Sequence, residues 1–257
     1  MAIQLSVVII TLNEERNLTR CLQSIKAVAD EIVVIDSFSS DRTQDIAESF
    51  NARFIQNRFE GHIEQKNFAM NAASFDYILS LDADEVLSET LAESILRTKA
   101  DWTADGFHIN RLNNYCGKFV HHGGWYPDRK LRLWDRRKGS WGGENPHDQV
   151  IMIENTTIKR LTGDLLHYTY STPAEHLLQM NKFSDIAAKE AFKKGKRVSV
   201  LLHIILYPYL TFLKSYFLKL GFLEGYTGFL IAVHSAYYRF LKYTKLRFLQ
   251  SNSKREG

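Results

Sequence analysis

Asp82, Asp84 and Glu85 close the stretch Tyr77–Glu85, YILSLDADE, and are the first place where this chain could do chemistry. The apolar run before them is long enough for a buried strand. Side chains two apart on an extended chain share a face, so Asp82 and Asp84 are expected to point the same way, with Ala83 turned aside. Two such carboxylates repel each other unless a cation lies between them. Hard divalent ions prefer oxygen ligands, so an ion carrying a diphosphate is the economical partner. The plainer alternative is an acidic, solvated loop, and a D-x-D pattern alone does not decide between the two.

The elements that must position these acids read as an alternation. Leu5–Thr11 is a β-branched apolar run, like a parallel strand covered on both faces. Asn13 is placed to cap the next helix, with Glu14 and Glu15 at its positive end and Leu18, Leu22 and Ile25 along its inner face. Strands are expected at Glu31–Asp36 and Arg53–Gln56, and helices around Ile46–Phe50 and over Ile63–Ala73. Such alternation predicts an α/β fold with a doubly wound, mostly parallel sheet flanked by helices. Ligands of such sheets bind beyond the carboxyl ends of the strands. Thr11, Asn13, Glu14, Asp36, Ser37, Ser39, Asp82 and Asp84 would therefore line one edge. No glycine-rich loop follows the first strand, which argues against a dinucleotide fingerprint and a Walker loop. A nucleotide would be held by side chains and a metal instead.

Composition sets the outer bounds. The 257 residues suit one large domain or a domain with an appendage, and 45% hydrophobic content is ample for a core. Cys21 and Cys116 have no metal-type spacing and, with no apparent secretory signal, suggest a reducing compartment. The net charge of +4 is unevenly placed: from Lys189 onward there are 13 Lys/Arg against 3 Asp/Glu, before it 20 against 26. A basic, aromatic tail on an acidic body suggests an anionic surface as the tail's partner.

Four stretches, SVVIITLNEERNL, EIVVIDSFSSDRT, QKNFAMNAA and LSLDADE, together resemble the family 2 nucleotide-sugar glycosyltransferases of the GT-A fold. YPDRKLRLW, GENPHDQV, LLHYTY and FLEGYTGFLIA narrow the resemblance to the lipopolysaccharide core β-1,4-glucosyltransferase branch, and extend it over nearly the whole chain. It implies a UDP-sugar donor and a divalent metal, Mn²⁺ or Mg²⁺. Thr11, Asn13 and Glu14 would then sit by the uridine, Asp36 at the uracil or its sugar edge, and Lys66 near the donor phosphates. Asp82 would approach the ribose and Asp84 would bind the metal, with His167 as a further ligand. Glu85 would face away and act through its neighbours. Each has a bland counterpart: a helix-dipole acid for Glu14, a turn-former for Asp36, a helix cap for Asp41, a solvated lysine for Lys66, a structural histidine for His167.

The second half offers the base that such a transfer needs. A sugar hydroxyl is a poor nucleophile until a base takes its proton. In WGGENPHD, Asp148 is the first choice and Glu144 the second; relatives typically carry His-Glu where this chain has His147-Asp148. The glycines and Pro146 suit a loop shaping the acceptor cleft, and Trp141 either stacks on a sugar or packs in the core. Gly106–Arg111 and Lys130–Trp134 alternate like strands, with Arg132 either meeting the diphosphate or solvated. Asn113–Pro127 reads as a long loop or loose hairpin in which adjacent His121 and His122 cannot easily share an ion. Residues 1–171 are expected to form the catalytic domain and 172–257 a helical, amphipathic, membrane-associating extension. That extension opens at Thr172-Pro173-Ala174-Glu175, which has capping-box spacing, with Leu177, Leu178, Phe183, Ile186 and Ala187 inward. Val198–Leu213 and Gly221–Leu241 are interrupted by His203, Pro208, Lys214, Lys219 and Glu224, so they suit a membrane interface or a helical subdomain rather than a span. The last seven residues read as a frayed end.

These readings converge on an inverting, metal-dependent transferase moving a hexose, glucose from UDP-glucose, to a lipid-linked saccharide, with no nucleic acid partner. Its place would be the inner face of the bacterial cytoplasmic membrane. Rival readings are a nucleotidyltransferase, a non-catalytic nucleotide-sugar-binding module, and a transferase acting on a capsule precursor or protein side chain. The first lacks its phosphate loop; the second leaves the retained acids unexplained.

Overall fold

The computed structural model describes residues 2–144 and 147–253. The chain divides into two compact units, residues 1–112 with 128–167 and residues 113–127 with 168–257.

The first unit is α/β. Its elements are β1 (Leu5–Thr11), α1 (Leu18–Ile25), β2 (Glu31–Asp36), α2 (Thr43–Ser49), β3 (Arg53–Gln56), α3 (His62–Ala72), β4 (Tyr77–Asp82), β5 (Glu85–Leu87) and α4 (Glu89–Ala100). β6 (Gly106–Tyr115) leads into the second unit, where β7 (Lys118–Phe119) pairs with its end. β8 (Asp128–Asp135), β9 (Gly139–Glu144), β10 (His147–Met152) and β11 (Ile158–Tyr170) follow, and β11 again leads into the second unit. Sheet order is β3-β2-β1-β4-β8-β6-β11-β5. The β3-β2-β1-β4 half is parallel, while β8 runs antiparallel to β4, β6 to β8 and β5 to β11.

Period-two alternation divides the core between the two faces of this sheet. Leu5, Val7 and Ile9 of β1 join Leu79 and Leu81 against Leu18, Leu22 and Ile25 of α1 and Leu91 and Ile95 of α4. Val8, with Val33, Ile35 and Ile78, packs on Ala69 and Met70 of α3 and on Trp134 and Trp141. One close approach sets where β11 runs. Gly163 has φ +90°, and a Cβ there would stand 2.3 Å from the Leu91 backbone nitrogen. Ser88 caps α4 beside it and also accepts the Asp164 N–H at 3.1 Å.

Three expectations need correction here. Asn13 does not cap α1: it has φ +55°, and the helix starts five residues on, behind Asn17. Its side chain accepts the Ser40 N–H at 2.9 Å instead. The stretch around Trp141–Asp148 is an antiparallel pair, β9 with β10, rather than a loop; Pro146 lies outside the described residues. Asp41 is not the N-cap of α2, which is Arg42; it lies one residue earlier and accepts the Thr43 N–H at 3.0 Å and the Glu15 N–H at 3.1 Å.

The second unit is helical: α5 (Pro173–Lys193), a helical run Val200–Leu218 built of wide turns around α6 (Tyr207–Leu213), and α7 (Tyr226–Ser253). Thr172 caps α5 by accepting the Glu175 N–H. The buried face of α5 is not the expected one. His176, Met180, Ser184, Ala188 and Ala191 are buried, while Leu177 and Leu178 are exposed. Ala188 and Ala191 are small enough to pack closely against Leu246 of α7, and that contact turns the leucines outward. Among the described residues, Val200–Leu218 is long and apolar enough to cross a membrane, with mean hydropathy 1.3 and 6% of it buried. The helix runs past Lys214, where sequence reading ended it. Residues 254–257 of the expected frayed end lie outside the described residues.

A buried histidine pair is expected to make this unit acid-sensitive. The Nδ1 atoms of His176 and His234 are 2.9 Å apart, and Tyr115 Oη lies 3.3 Å from His234. Burial, then the neighbouring His234, pushes His176 down to about 4. Burial lowers His234 as well. The unfolded chain takes up these protons first, so the stabilisation is complete above pH 6.5 and is lost as pH falls toward 4. Roughly 3 kcal/mol is expected from His176. Thermal melts at pH 7.5 and 4.5 check this: the acid loss should shrink in a His176→Gln/His234→Gln variant, and an equal loss in that variant would refute it.

Candidate active site

The site is assembled where β1, β2 and β4 end. Thr11 donates to Asp36 at 3.0 Å, and Asp36 accepts the Ser39 N–H at 2.8 Å. Both are buried, so Asp36 holds the turn after β2 and its oxygens are engaged there. Glu14 accepts from Asn17 at 2.7 Å. Burial raises Glu14 despite that bond, and Asp84 and Asp41 add to the effect.

Asp82 and Asp84 have different partners, while Ala83 between them is turned into the core with Leu79 and Leu81. β4 ends at Asp82 and the chain turns, with Ala83 in the core, before β5 begins at Glu85. Asp82 meets Lys66 at 3.1 Å and Arg132 at 2.9 Å. Burial alone would raise its carboxyl, but Lys66 and Arg132 outweigh it and hold Asp82 well below the usual range. Glu85 comes back toward Asp82: one oxygen accepts the Asp82 N–H at 2.9 Å and the other meets Arg132 at 2.6 Å. Glu85 is fully buried and Arg132 is 3% exposed, so Arg132 is not solvated. Burial works against its charge, and Glu85 and Asp82 more than offset this, raising the guanidinium.

Asp84 faces His167 instead, Oδ2 to Nε2 at 3.2 Å. The β5–β11 register, His167 opposite Glu85, brings them together. Two donors that each reach an ion at about 2.0–2.3 Å stand about 3 Å apart when they share it. Asp84 and His167 are thus spaced as two residues that could hold a divalent ion. No cluster of three or more His, Cys, Asp or Glu suited to a metal occurs among the described residues.

Lys66 links the two halves of the site. Buried on α3, it reaches Asp148 of β10 at 2.8 Å as well as Asp82. The neighbouring Asn67 clamps the Trp141 backbone with bonds of 2.9 and 3.0 Å, so α3 sets where the β9–β10 pair stands. Trp141 is buried beside Trp134, with Lys66 Nζ 4.5 Å from its ring centroid. Packing is thus its main contact. Lys66, Asp82, Arg132, Trp141 and Asp148 line one cavity of about 480 Å³. Glu144 is exposed at the end of β9 and is not part of that lining. The Lys66 bridge and the buried Glu85–Arg132 pair escaped sequence reading, because Lys66 stands among polar residues of α3 and Arg132 follows other basic residues of β8. In the second unit, His122 pairs with Glu224 at 2.7 Å, so the adjacent histidines form a polar contact there.

Residues 6–153 match the family model described as Glycosyl transferase family 2. The chain is 30% identical to the uncharacterized glycosyltransferase RT0209 of Rickettsia typhi, over 98% of this chain and 89% of that protein. It is 32% identical to LpsC of Rhizobium meliloti, a lipopolysaccharide core biosynthesis glycosyltransferase, over 94% and 91% of the two chains. Its backbone is also similar to S. aureus TarS 1-349 in complex with UDP-GlcNAc, with TM-score 0.48, 15% identity and 97% and 92% of the chains covered.

Proposed function

The chain belongs to glycosyl transferase family 2, and we propose that it inverts the anomeric centre of a UDP-hexose, UDP-glucose, while moving the sugar to a hydroxyl of a lipid-linked saccharide. The observation that carries this is Asp148 in a cavity beside Asp82, with the Asp84–His167 pair one turn of chain away. Asp148 takes the proton as the acceptor oxygen attacks the anomeric carbon, and the bond from that carbon to the diphosphate breaks. Lys66 holds Asp148 in place through its 2.8 Å contact. Asp84 and His167 would hold Mn²⁺ or Mg²⁺, which would stabilise the charge gathering on the leaving UDP. Thr11, Asn13 and Glu14 are at the end of β1, where the uridine would lie, with Asp36 shaping the adjoining turn.

Calorimetric titration with UDP and UDP-glucose, with and without Mn²⁺, tests the donor site. Mn²⁺-dependent binding is expected, weakened at least about tenfold in Asp84→Ala. Absence of uridine nucleotide binding under every condition would remove this reading.

The second unit supports a place on the inner face of the cytoplasmic membrane. Leu201, Tyr209, Leu218 and Tyr226 are between 60% and 79% exposed, and Lys193, Lys194, Lys196, Arg197, Lys214 and Lys219 flank or interrupt them. Such a mixture suits an anionic membrane interface. Co-sedimentation is expected with vesicles containing anionic lipid and reduced by Leu201→Asp/Leu218→Asp. Equal recovery of both proteins would contradict it.

A further inference from the structure

The cavity beside Asp148 holds more positive charge than the proposed chemistry uses. Lys66, Arg111, Arg129, Lys130 and Arg132 line it, against Asp82 and Asp148. Some of that charge is already matched. Arg111 and Lys130 meet Asp128 at 2.7 and 3.2 Å, and Arg132 meets Glu85. Two features remain. Arg129 is exposed at the rim. Arg132, 3% exposed, uses only Nη2 in its ion pairs, and its Nε and Nη1 are buried without a hydrogen-bond partner. The buried Trp141 Nε1, in the same lining, also has none. Buried donors left unmade are costly, and such groups mark where a ligand or water completes the set. A guanidinium and an indole N–H donate but do not accept, so the missing partner is an acceptor. With the unmatched Arg129 and the open donors of Arg132 beside it, the ligand that fits is an oxyanion.

We propose that this cavity binds a phosphate or carboxylate group carried by the acceptor, so that the enzyme acts on an anionic saccharide rather than a neutral one. The proposal rests on the reading of Asp148 as base, because a hydroxyl must come within hydrogen-bond reach of the base to lose its proton. Whatever fills the cavity at Asp148 is then the acceptor side of the reaction. Lys66 and Asp82, on the donor side of the site, line this cavity, so donor and acceptor meet in it; Asp84, His167, Thr11, Asn13, Glu14 and Asp36 do not line it. We therefore place the donor diphosphate toward Asp84 and His167, with Lys66 and Asp82 between, and the oxyanion at Arg129, Lys130 and Arg132 on the acceptor.

The test is calorimetry on the full chain with inorganic phosphate as probe, repeated at saturating UDP and Mn²⁺. One saturable phosphate site is expected, unmoved by UDP and weakened about tenfold or more in Arg129→Ala/Lys130→Ala, whose positions lie at the cavity rim. A hexose 6-phosphate and a hexuronate are then compared with the neutral hexose. At least one should bind about tenfold tighter than the neutral sugar, and the tighter of the two identifies phosphate or carboxylate as the acceptor's group. Phosphate that does not saturate, or is unaffected by the double variant, overturns the proposal. So does phosphate displaced by UDP, which would give the cavity to the donor. A chain that binds phosphate as expected but no uridine nucleotide would lose the donor reading and keep the anion site.

Discussion

Replacing Asp148 by asparagine is expected to lower kcat by about 10²–10⁴-fold while leaving UDP-glucose affinity within about twofold. Asparagine keeps the shape of the side chain and can still accept from Lys66, which contacts Asp148 at 2.8 Å. What it loses is the capacity to take the acceptor's proton. The donor should be little affected, because Asp84 and His167 are paired with each other away from Asp148 and asparagine keeps the contact that positions Lys66. Asp148→Glu is the informative companion. A longer side chain at the same backbone position should retain part of the rate if Lys66 and the β9–β10 pair leave room for it. Steady-state kinetics with a saturating donor separate the effects. If Asp148→Asn transfers at the wild-type rate while Glu144→Gln does not, the base is Glu144.

The parallel half of the fold was legible because its physics is local. Runs such as Leu5–Thr11 and Glu31–Asp36 are apolar, β-branched and short, and they form β1 and β2 with the bounds expected. The site was legible as a list of acids but not as an arrangement. Asp82 meets Lys66 and Arg132 while Asp84 meets His167, and no residue type near them announces which partner each would take. Lys66 looked like any helical lysine, since Asp148, its partner, is 82 positions away. The inner face of α5 was misread for a related reason. Leu177 and Leu178 satisfy helical periodicity, yet burial follows whichever stripe lets two helices approach, and here that stripe contains Ser184, Ala188 and Ala191. Periodicity reports that a helix has a face; the partner decides which one.

The pair Glu85–Arg132 should carry the largest stability effect in the first unit. Glu85 is fully buried and Arg132 nearly so, with 2.6 Å between them. Glu85→Ala leaves a buried guanidinium with Asp82 as its remaining contact and strips the Asp82 N–H of its acceptor. Breaking a buried ion pair from one side costs about 3–5 kcal/mol. For a chain of this size that is a fall in Tm of roughly 10 °C. Removing both charges should cost much less, because the burial penalty disappears with them. Glu85→Leu/Arg132→Met is therefore expected to recover most of the Tm lost in Glu85→Ala, yet to lose phosphate binding in the cavity beside Asp148. Recovery of stability without recovery of anion binding would mean that Arg132 serves the anion site rather than holding the sheet together. If the double variant melts as low as Glu85→Ala, the pair is instead a structural element whose shape hydrophobic side chains cannot replace, and the role assigned to Arg132 loses its support.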